Sequence, residues 1–204
     1  IGSAGWVALM LWDFYRYGLD KQYLEKVIYP MLRGSLRVYQ AIMAHSSDGF
    51  TFWSPSPEYI ESGKPAWFEM PSFHLAIIHG LVQACKQSVL DLGKVEPELA
   101  AWDDMAKRLP KACIQDSIIG VGKGVALGAS HRHHSHLAGI YPFDTFDIEG
   151  KDKQLIHHNM YHWAKLGYGD WVGWSMPWAA IIWSRQHEAE AAFHFLDIYE
   201  RFFT

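Results

Sequence analysis

Cysteine is nearly absent from the sequence. Only Cys85 and Cys113 occur among 204 residues, which excludes a disulfide framework and a zinc site built from thiolates. Both cysteines lie in apolar segments with helical patterning, so we expect buried free thiols. Two such residues do not fix the cellular compartment.

Clusters of basic residues and long apolar runs are also absent. The formal net charge is -4, and no basic patch offers the electrostatic footprint of a nucleic-acid partner. No apolar run is long enough to span a bilayer, and the first residues lack the basic start and cleavage pattern of a signal peptide. We therefore expect no nucleic-acid partner and no membrane insertion, while the oligomeric state stays open.

Aromatic residues, in contrast, are abundant, with 10 Trp, 10 Tyr and 11 Phe. Flat, partly polar rings suit the faces of sugars, so this enrichment favours contact with carbohydrate. The alternative is that most of these rings fill a helical core. Composition alone supports both interpretations.

Apolar residues recur every three or four positions along most of the chain, which predicts an all-α fold. Gly18 stops the first helix, Asp20 caps the next, and Pro30 opens a third at its first turn. The segment 120–128 is predicted to be a flexible or strand-like connector. The predicted helices cover residues 6–17, 21–29, 30–45, 73–92, 96–118, 151–165, 173–183 and 188–203.

Long loops rich in glycine and proline separate alternate pairs of these helices. Such an arrangement suggests an α/α toroid whose site is built by the loops at one end. We assign residues 1–204 to one fragment of a single domain. The chain begins inside one helical pattern and ends inside another without a stop signal, so we expect a fragment of a longer protein.

The segment 53–61, WSPSPEYIE, contains the first candidate for chemistry. Its two prolines restrict the backbone and hold the carboxylate of Glu58 on a stiff stretch. The apolar neighbours Trp53, Tyr59 and Trp67 are expected to raise the pKa of Glu58, as suits a general acid. The alternative is an ordinary surface loop with a solvated glutamate.

The segment 130–142, SHRHHSHLAGIYP, concentrates histidine. The spacing of His131, His133 and His136 does not match a helical zinc motif, and no nearby carboxylates or thiolates complete a ligand set, so we expect no metal. Two interpretations remain. The loop binds sugar hydroxyls through these histidines and Arg132, or it is a structural cluster that pins a loop to the helices.

The segment 169–178, GDWVGWSMPW, is the third candidate. Gly173 permits close backbone approach, and Trp171, Trp174 and Trp178 offer flat faces. A platform for a sugar and an aromatic helix start are both compatible with this pattern. Nothing in the sequence resembles a nucleophile elbow or a phosphate loop, so no cofactor is expected.

These segments, in this order, resemble glycoside hydrolase family 95, the inverting α-L-fucosidases and their relatives. The matching stretches are AGWVALMLWDFYRY and VIYPMLRGSLRVYQ, then DGFTFWSPSPE, then HRHHSHLAGIYP, and finally VGWSMPW. The resemblance covers essentially the whole chain. The histidine-rich motif with its apolar continuation is the most specific of the four.

The resemblance implies part of an (α/α)6 barrel that acts on terminal α-L-fucosyl or α-L-galactosyl residues of an oligosaccharide or polysaccharide. Glu58 falls where the family has its general acid. The histidine-rich loop falls where the family contacts the terminal sugar. Secretion or a periplasmic location is implied by the family alone. The predicted substrate-binding residues are His131, Arg132, His133, His136, Trp174 and Trp53.

The family's water-activating asparagines would precede Ile1, and its acidic helper motif would follow Thr204. We therefore expect the isolated 204-residue chain to be inactive, to associate through exposed apolar faces, and to belong to an active parent. Two other functions stay open. One is another (α/α)6 carbohydrate hydrolase, and the other is a glycan-binding relative without catalysis.

Overall fold

A computed structural model of the chain describes residues 2–46, 49–60 and 66–204, with the side chains of 44–46, 59 and 60 outside the description. The described residues are mainly helical, which confirms the all-α prediction and agrees with an incomplete portion of an (α/α)6 toroid. The chain divides into two compact units. The first comprises residues 1–52 and 74–111, and the second 53–73 and 112–204. The assignment of a single domain stays a prediction.

The first unit is built from helices and one short β-ribbon. Residues 74–92 of the long helix α5 (Ser72–Leu92) belong to this unit, although the helix begins two residues earlier. Its elements are α1 (Gly2–Gly18), α2 (Lys21–Tyr23), a π-helix (Leu24–Ile28), α3 (Tyr29–Ile42), β1 (Ala44–Ser46), β2 (Gly49–Thr51), α5 (Ser72–Leu92) and α6 (Leu99–Arg108). Helix α4 (Pro57–Ile60) lies in the second unit.

The start of the second helical segment is fixed by the predicted cap. The carboxylate of Asp20 accepts hydrogen bonds from the backbone N–H groups of Gln22 (2.9 Å) and Tyr23 (3.1 Å). Pro30, however, does not open a separate helix, because α2, the π-helix and α3 run on continuously. The Tyr29 N–H bonds to the Leu24 carbonyl, five residues back, so a π-turn precedes the proline that lacks an N–H.

Helices α1 and α5 approach closely in the first unit because Gly5 lacks a side chain. A Cβ atom at Gly5 would lie 2.6 Å from the Ile77 side chain. Around this contact the helices bury aliphatic and aromatic side chains, among them Leu36, Tyr39 and Leu81. The apolar residues that recur every three or four positions in the sequence therefore form the helix faces that pack into this core.

The second unit combines helices with two β-ribbons and irregular loops. Tryptophans are prominent in its core, including Trp163, Trp171 and Trp183. The elements are β3 (Trp53–Pro55), α4 (Pro57–Ile60), β4 (Trp67–Glu69), β5 (Ile114–Gln115), β6 (Ile118–Ile119), a 3₁₀ turn (Ser135–Leu137), α7 (Lys153–Lys165), α8 (Ser175–Ser184) and α9 (Ala189–Phe203).

The predicted helix over 96–118 is wrong beyond its first half. Helix α6 ends at Arg108, two residues before Pro110, which disfavours a helical residue in front of it. The chain then forms the hairpin β5–β6, whose turn residues Asp116 and Ser117 both have positive φ angles of 50° and 63°. Apolar residues keep a helical spacing across Pro110, although the backbone does not continue as a helix there.

The two cysteines agree only partly with the prediction of buried free thiols in helical segments. Cys85 is buried in α5, whereas Cys113 is half-buried outside any helix and its Sγ bonds to the Met70 carbonyl (3.0 Å). Both are free thiols.

Across the described ranges, no helix combines the length and apolar character needed to cross a bilayer.

Candidate functional site

The segment around Glu58 begins as a strand and turns into a helix. Strand β3 pairs antiparallel with β4, and the Ser56 N–H extends the pairing by bonding to the Ala66 carbonyl (2.9 Å). Side chains alternate along a strand, so Trp53 points outward with 59% exposure while Ser54 is buried. Pro57 then opens α4, where its missing N–H costs nothing, and Glu58 lies in the first turn.

Glu58 is a fully buried carboxylate, with no exposed side-chain surface. The Ser56 hydroxyl donates to Oε2, and the Ser135 hydroxyl donates to Oε1. The backbone N–H of His136 also donates to Oε1, at 3.2 Å. The site therefore joins the SPSPE segment to the histidine-rich segment, 77 residues away in sequence for Ser135.

The electrostatics of Glu58 differ from the sequence-based expectation. Burial raises its pKa, but His136 and the hydroxyls of Ser135 and Ser56 outweigh burial and lower the pKa to about 2. His136 Nδ1 lies 3.9 Å from Oε1, too far for a hydrogen bond, so this ring acts through its charge when it is protonated. Glu58 is consequently ionised at neutral pH in this conformation.

The predicted aromatic neighbours do not surround this carboxylate. Trp53 and Trp67 lie on the outward face of the β3–β4 ribbon, 59% and 62% exposed, while the chain carries Glu58 inward. The expectation that they raise the pKa of Glu58 is therefore wrong. The side chain of Tyr59, the third proposed neighbour, lies outside the described residues.

Part of the histidine-rich loop forms a half-exposed aromatic surface with Trp174. The rings of His131 and His133 stack at 5.1 Å between centroids, and His133 contacts Trp174 at 5.0 Å. Trp174 is 44% exposed. Arg132 is half-buried, and its carbonyl accepts a hydrogen bond from the Ser175 hydroxyl (2.8 Å). His131, Arg132, His133 and Trp174 are thus adjacent, as a sugar-contacting surface requires.

The tryptophans of the 169–178 segment separate into two roles. Trp174 faces outward, whereas Trp171 is buried and stacks with Trp163 at 4.8 Å. Trp178 is half-buried, and its Nε1 donates to the Tyr141 carbonyl (3.1 Å). The aromatic helix start is confirmed for Trp171, and the sugar platform stays a prediction for the exposed Trp174.

Three residues of the site were missed by sequence reasoning. Ser56 and Ser135 hold Glu58, and His134 is fully buried between the loop and α8. The strand alternation in WSPS, with Trp53 outward and both serines inward, is a signal that was available. His134 carries no such signal, because its residue type and position in the loop do not distinguish it from the other histidines.

The carboxylate, hydroxyl, imidazole and guanidinium groups described at this site can form hydrogen bonds, and the carboxylate and imidazole groups can also exchange protons. Within the described ranges, no three histidine, cysteine, aspartate or glutamate side chains converge in a geometry that holds a metal ion. The arrangement offers one buried carboxylate, two hydroxyl donors to it and a neighbouring aromatic surface rich in imidazole and guanidinium groups.

Comparison with known proteins identifies the family of the chain. The chain is 30% identical over 201 residues to Alpha-L-fucosidase 2 of Arabidopsis thaliana, an alignment that covers 94% of this chain and 24% of that protein. The chain thus spans about a quarter of the length of this curated relative. The model of the glycosyl hydrolase family 95 catalytic domain matches residues 1–201, and the chain belongs to this family.

Proposed function

We propose that the protein containing this chain is a glycoside hydrolase that removes terminal α-L-fucosyl or α-L-galactosyl residues from oligosaccharides or polysaccharides, with inversion. Glu58 is its general acid. The observation that carries the proposal is the carboxylate of Glu58, which the two most specific sequence motifs hold jointly through Ser56, Ser135 and the His136 N–H.

Substrate entry is coupled to protonation of Glu58. The carboxylate has no exposed surface, so a sugar reaches it only by displacing one of its donors. Ser135 and His136 belong to the loop that also carries His131 and His133, which form the proposed sugar-contacting surface. When the Ser135 hydroxyl rotates away from Oε1, the carboxylate loses a donor and the pKa of Glu58 rises, which prepares the group to protonate the leaving oxygen.

The remaining sugar contacts are assigned to exposed and half-exposed side chains. His131, Arg132, His133 and Trp174 receive the terminal sugar, and His136 lies beside the acid. Trp53, on the outward face of the ribbon that leads to Glu58, contacts sugars further along the glycan. Stacking and hydrogen bonding together are the usual means of holding such a ligand.

An inverting mechanism also needs a base that activates water, about 6.5–9.5 Å from the acid. We assign this base to another part of the whole protein, since Glu58 supplies only the acid. The isolated 204-residue chain is accordingly inactive. Turnover of an aryl α-L-fucoside by this chain alone would contradict that assignment.

The proposal is tested with the full-length protein and a panel of aryl α-L-fucosides and α-L-galactosides. Proton NMR during the first turnovers shows the anomer released. We expect hydrolysis of at least one of the two series and initial formation of the β-anomer. Release of the α-anomer would overturn inversion, and hydrolysis only of other aryl glycosides would indicate another (α/α)6 hydrolase.

A glycan-binding protein without catalysis is the second candidate. The observation that favours it is the closed, ionised state of Glu58, which in this conformation neither touches solvent nor carries a proton. Calorimetric titration with fucosylated oligosaccharides separates the two functions. Binding without turnover by the full-length protein supports this candidate and overturns the hydrolase.

A further inference from the structure

His134 is the buried member of the histidine-rich loop. Its ring packs among three tryptophans, with centroid distances of 4.5 Å to Trp171, 4.8 Å to Trp163 and 5.4 Å to Trp178. The residue has no exposed surface, so neither a sugar nor bulk water reaches it. The roles proposed for the other histidines of the loop are therefore not open to His134.

We propose that His134 is a positioning residue for Glu58, which it serves by fixing the adjoining Ser135 and His136 against helix α8. This inference rests on the proposed function, in which Glu58 is the acid. It concerns a residue that touches neither the carboxylate nor the sugar.

The anchor is the first residue of α8. His134 Nε2 donates to the Ser175 carbonyl (3.1 Å), and the Ser175 hydroxyl donates to the Arg132 carbonyl (2.8 Å). The Val172 N–H in turn donates to the Ser175 hydroxyl (3.1 Å). Ser175 is fully buried, so these bonds are shielded from water. The loop is thus held on both sides of His133.

The loop passes from this anchor directly to the donors of Glu58. The Leu137 N–H bonds to the His134 carbonyl (2.9 Å), and the Ala138 N–H bonds to the Ser135 carbonyl (3.0 Å). These bonds form the 3₁₀ turn Ser135–Leu137, which leaves little freedom between the imidazole and the two groups that contact Oε1. A displacement of His134 therefore moves the Ser135 hydroxyl and the His136 N–H together.

The imidazole is held in one protonation state. Burial lowers the pKa of His134 to about 3. The Ser175 carbonyl and the Glu58 carboxylate act to raise this pKa, and the neighbouring His136 and His133 act to lower it further. The ring is neutral at physiological pH, and Nε2 carries the hydrogen because its partner is a carbonyl. Nδ1 has no hydrogen-bond partner among the described residues. A phenylalanine here would keep the aromatic packing and lose only the Nε2 donor.

The test uses the full-length protein and three variants. His134→Phe removes the donor, and His134→Gln restores an amide donor without the ring. His79→Phe is the matched control, since His79 Nε2 also bonds to a backbone carbonyl, that of Pro110 (3.0 Å), in the first unit. Carbon-13 NMR of labelled glutamate, with the Glu58 signal identified by its absence in Glu58→Gln, reports the pKa of Glu58, and kinetics report kcat and KM.

We expect His134→Phe to raise the pKa of Glu58 by about one pH unit, because its donors become less well placed. We also expect kcat to fall roughly 10- to 100-fold with a smaller change in KM, since a misplaced acid affects the chemical step. His134→Gln recovers part of both effects. His79→Phe lowers the unfolding temperature and leaves the Glu58 pKa and kcat unchanged.

An unchanged Glu58 pKa in His134→Phe, with a loss of thermal stability alone, would overturn the positioning role. If His134→Phe does not fold, the same comparison is made with His134→Gln, whose Glu58 pKa must then lie above that of the native protein. Failure of the proposed function is distinguishable. A parent that hydrolyses no glycoside removes the kinetic readout, while the NMR titration still decides whether His134 positions Glu58.

Discussion

Glu96 in the first unit and Glu58 in the second have nearly or fully buried carboxylates that each accept several hydrogen bonds, and their donors differ. In the first unit, Glu96 has a 5% exposed side chain, accepts a hydrogen bond from the Tyr29 hydroxyl and pairs with the Arg33 guanidinium at 2.9 Å. In the second unit, Glu58 is held by two serine hydroxyls and a backbone N–H.

The two sets of donors differ in whether a bound ligand can alter the protonation of the carboxylate that they hold. A guanidinium keeps its proton under all physiological conditions, so it fixes the charge of Glu96, whose pKa is lowered although burial opposes this. Hydroxyl groups rotate, so the donors of Glu58 can be turned away from the carboxylate. A carboxylate stabilised by such donors is suited to proton transfer, whereas one paired with arginine is suited to holding a fold together.

The largest effect is expected from Glu58→Gln in the full-length protein. The amide retains the size of the side chain but cannot deliver a proton, so kcat should fall about 10²- to 10⁴-fold. The dissociation constant of a fucosylated oligosaccharide should change little. Steady-state kinetics and calorimetric titration measure the two quantities. An unchanged kcat would remove Glu58 from the mechanism.

The matched substitution Glu96→Gln should have the opposite profile. Loss of the charge leaves Arg33 paired with Glu98, 2.8 Å away, which the Arg37 guanidinium also contacts. We expect the free energy of unfolding to fall by about 2 kcal/mol. Chemical denaturation measures this change, and kcat of the folded protein should be native-like. A 100-fold loss of kcat in Glu96→Gln would erase the distinction between the two carboxylates.

A smaller effect is expected when one neutral donor to Glu58 is removed. In Ser135→Ala the ionised form loses a charge-assisted hydrogen bond, which corresponds to about one pH unit in the pKa of Glu58. Because the lowered pKa moves upward, the protonated form persists to higher pH. The alkaline limb of the kcat/KM profile should therefore shift to higher pH.

The control for this shift is Ser88→Ala. Ser88 is buried in the first unit, and its hydroxyl donates to the Ala84 carbonyl (2.7 Å) within α5. The substitution removes a buried hydroxyl of similar size without touching Glu58. A pH profile that moves equally in both variants would show that the hydroxyl of Ser135 does not set the pKa of Glu58.

Much of the helical framework was predictable because its apolar residues repeat at helical spacing. The predicted helices over 73–92 and 151–165 agree closely with α5 and α7. The predicted cap at Asp20 is confirmed, and so is the end of α1 at Gly18. These features depend on residues that are close together in the sequence, so the amino-acid sequence is enough to predict them.

The environment of Glu58 was not predictable in the same way. Nearness in sequence placed Trp53 beside Glu58, but a strand alternates its side chains, and this one turns Trp53 outward. The donors Ser135 and His136 come from a segment 77 and 78 residues away, a pairing that only the fold creates. A glutamate at position 58 can be recognised in the sequence, but the groups that lower its pKa most, His136 and Ser135, come from a distant segment.

The smallest effect is expected at the periphery of the site, where Trp53→Ala tests whether the exposed ribbon face contacts the glycan. Loss of one stacked indole should raise KM for a fucosylated oligosaccharide about 5-fold, which corresponds to about 1 kcal/mol. The KM of a small aryl α-L-fucoside should stay unchanged, because that substrate does not extend to the ribbon.

The first unit provides the control, Phe14→Ala, since Phe14 is similarly exposed on α1 and carries no proposed contact with the glycan. Its KM values for both substrates should equal those of the native protein. If Trp53→Ala raises both KM values equally, or neither, Trp53 does not recognise the extended glycan. The outward face of the ribbon would then play no part in substrate choice, and recognition would be confined to the loop that holds Glu58.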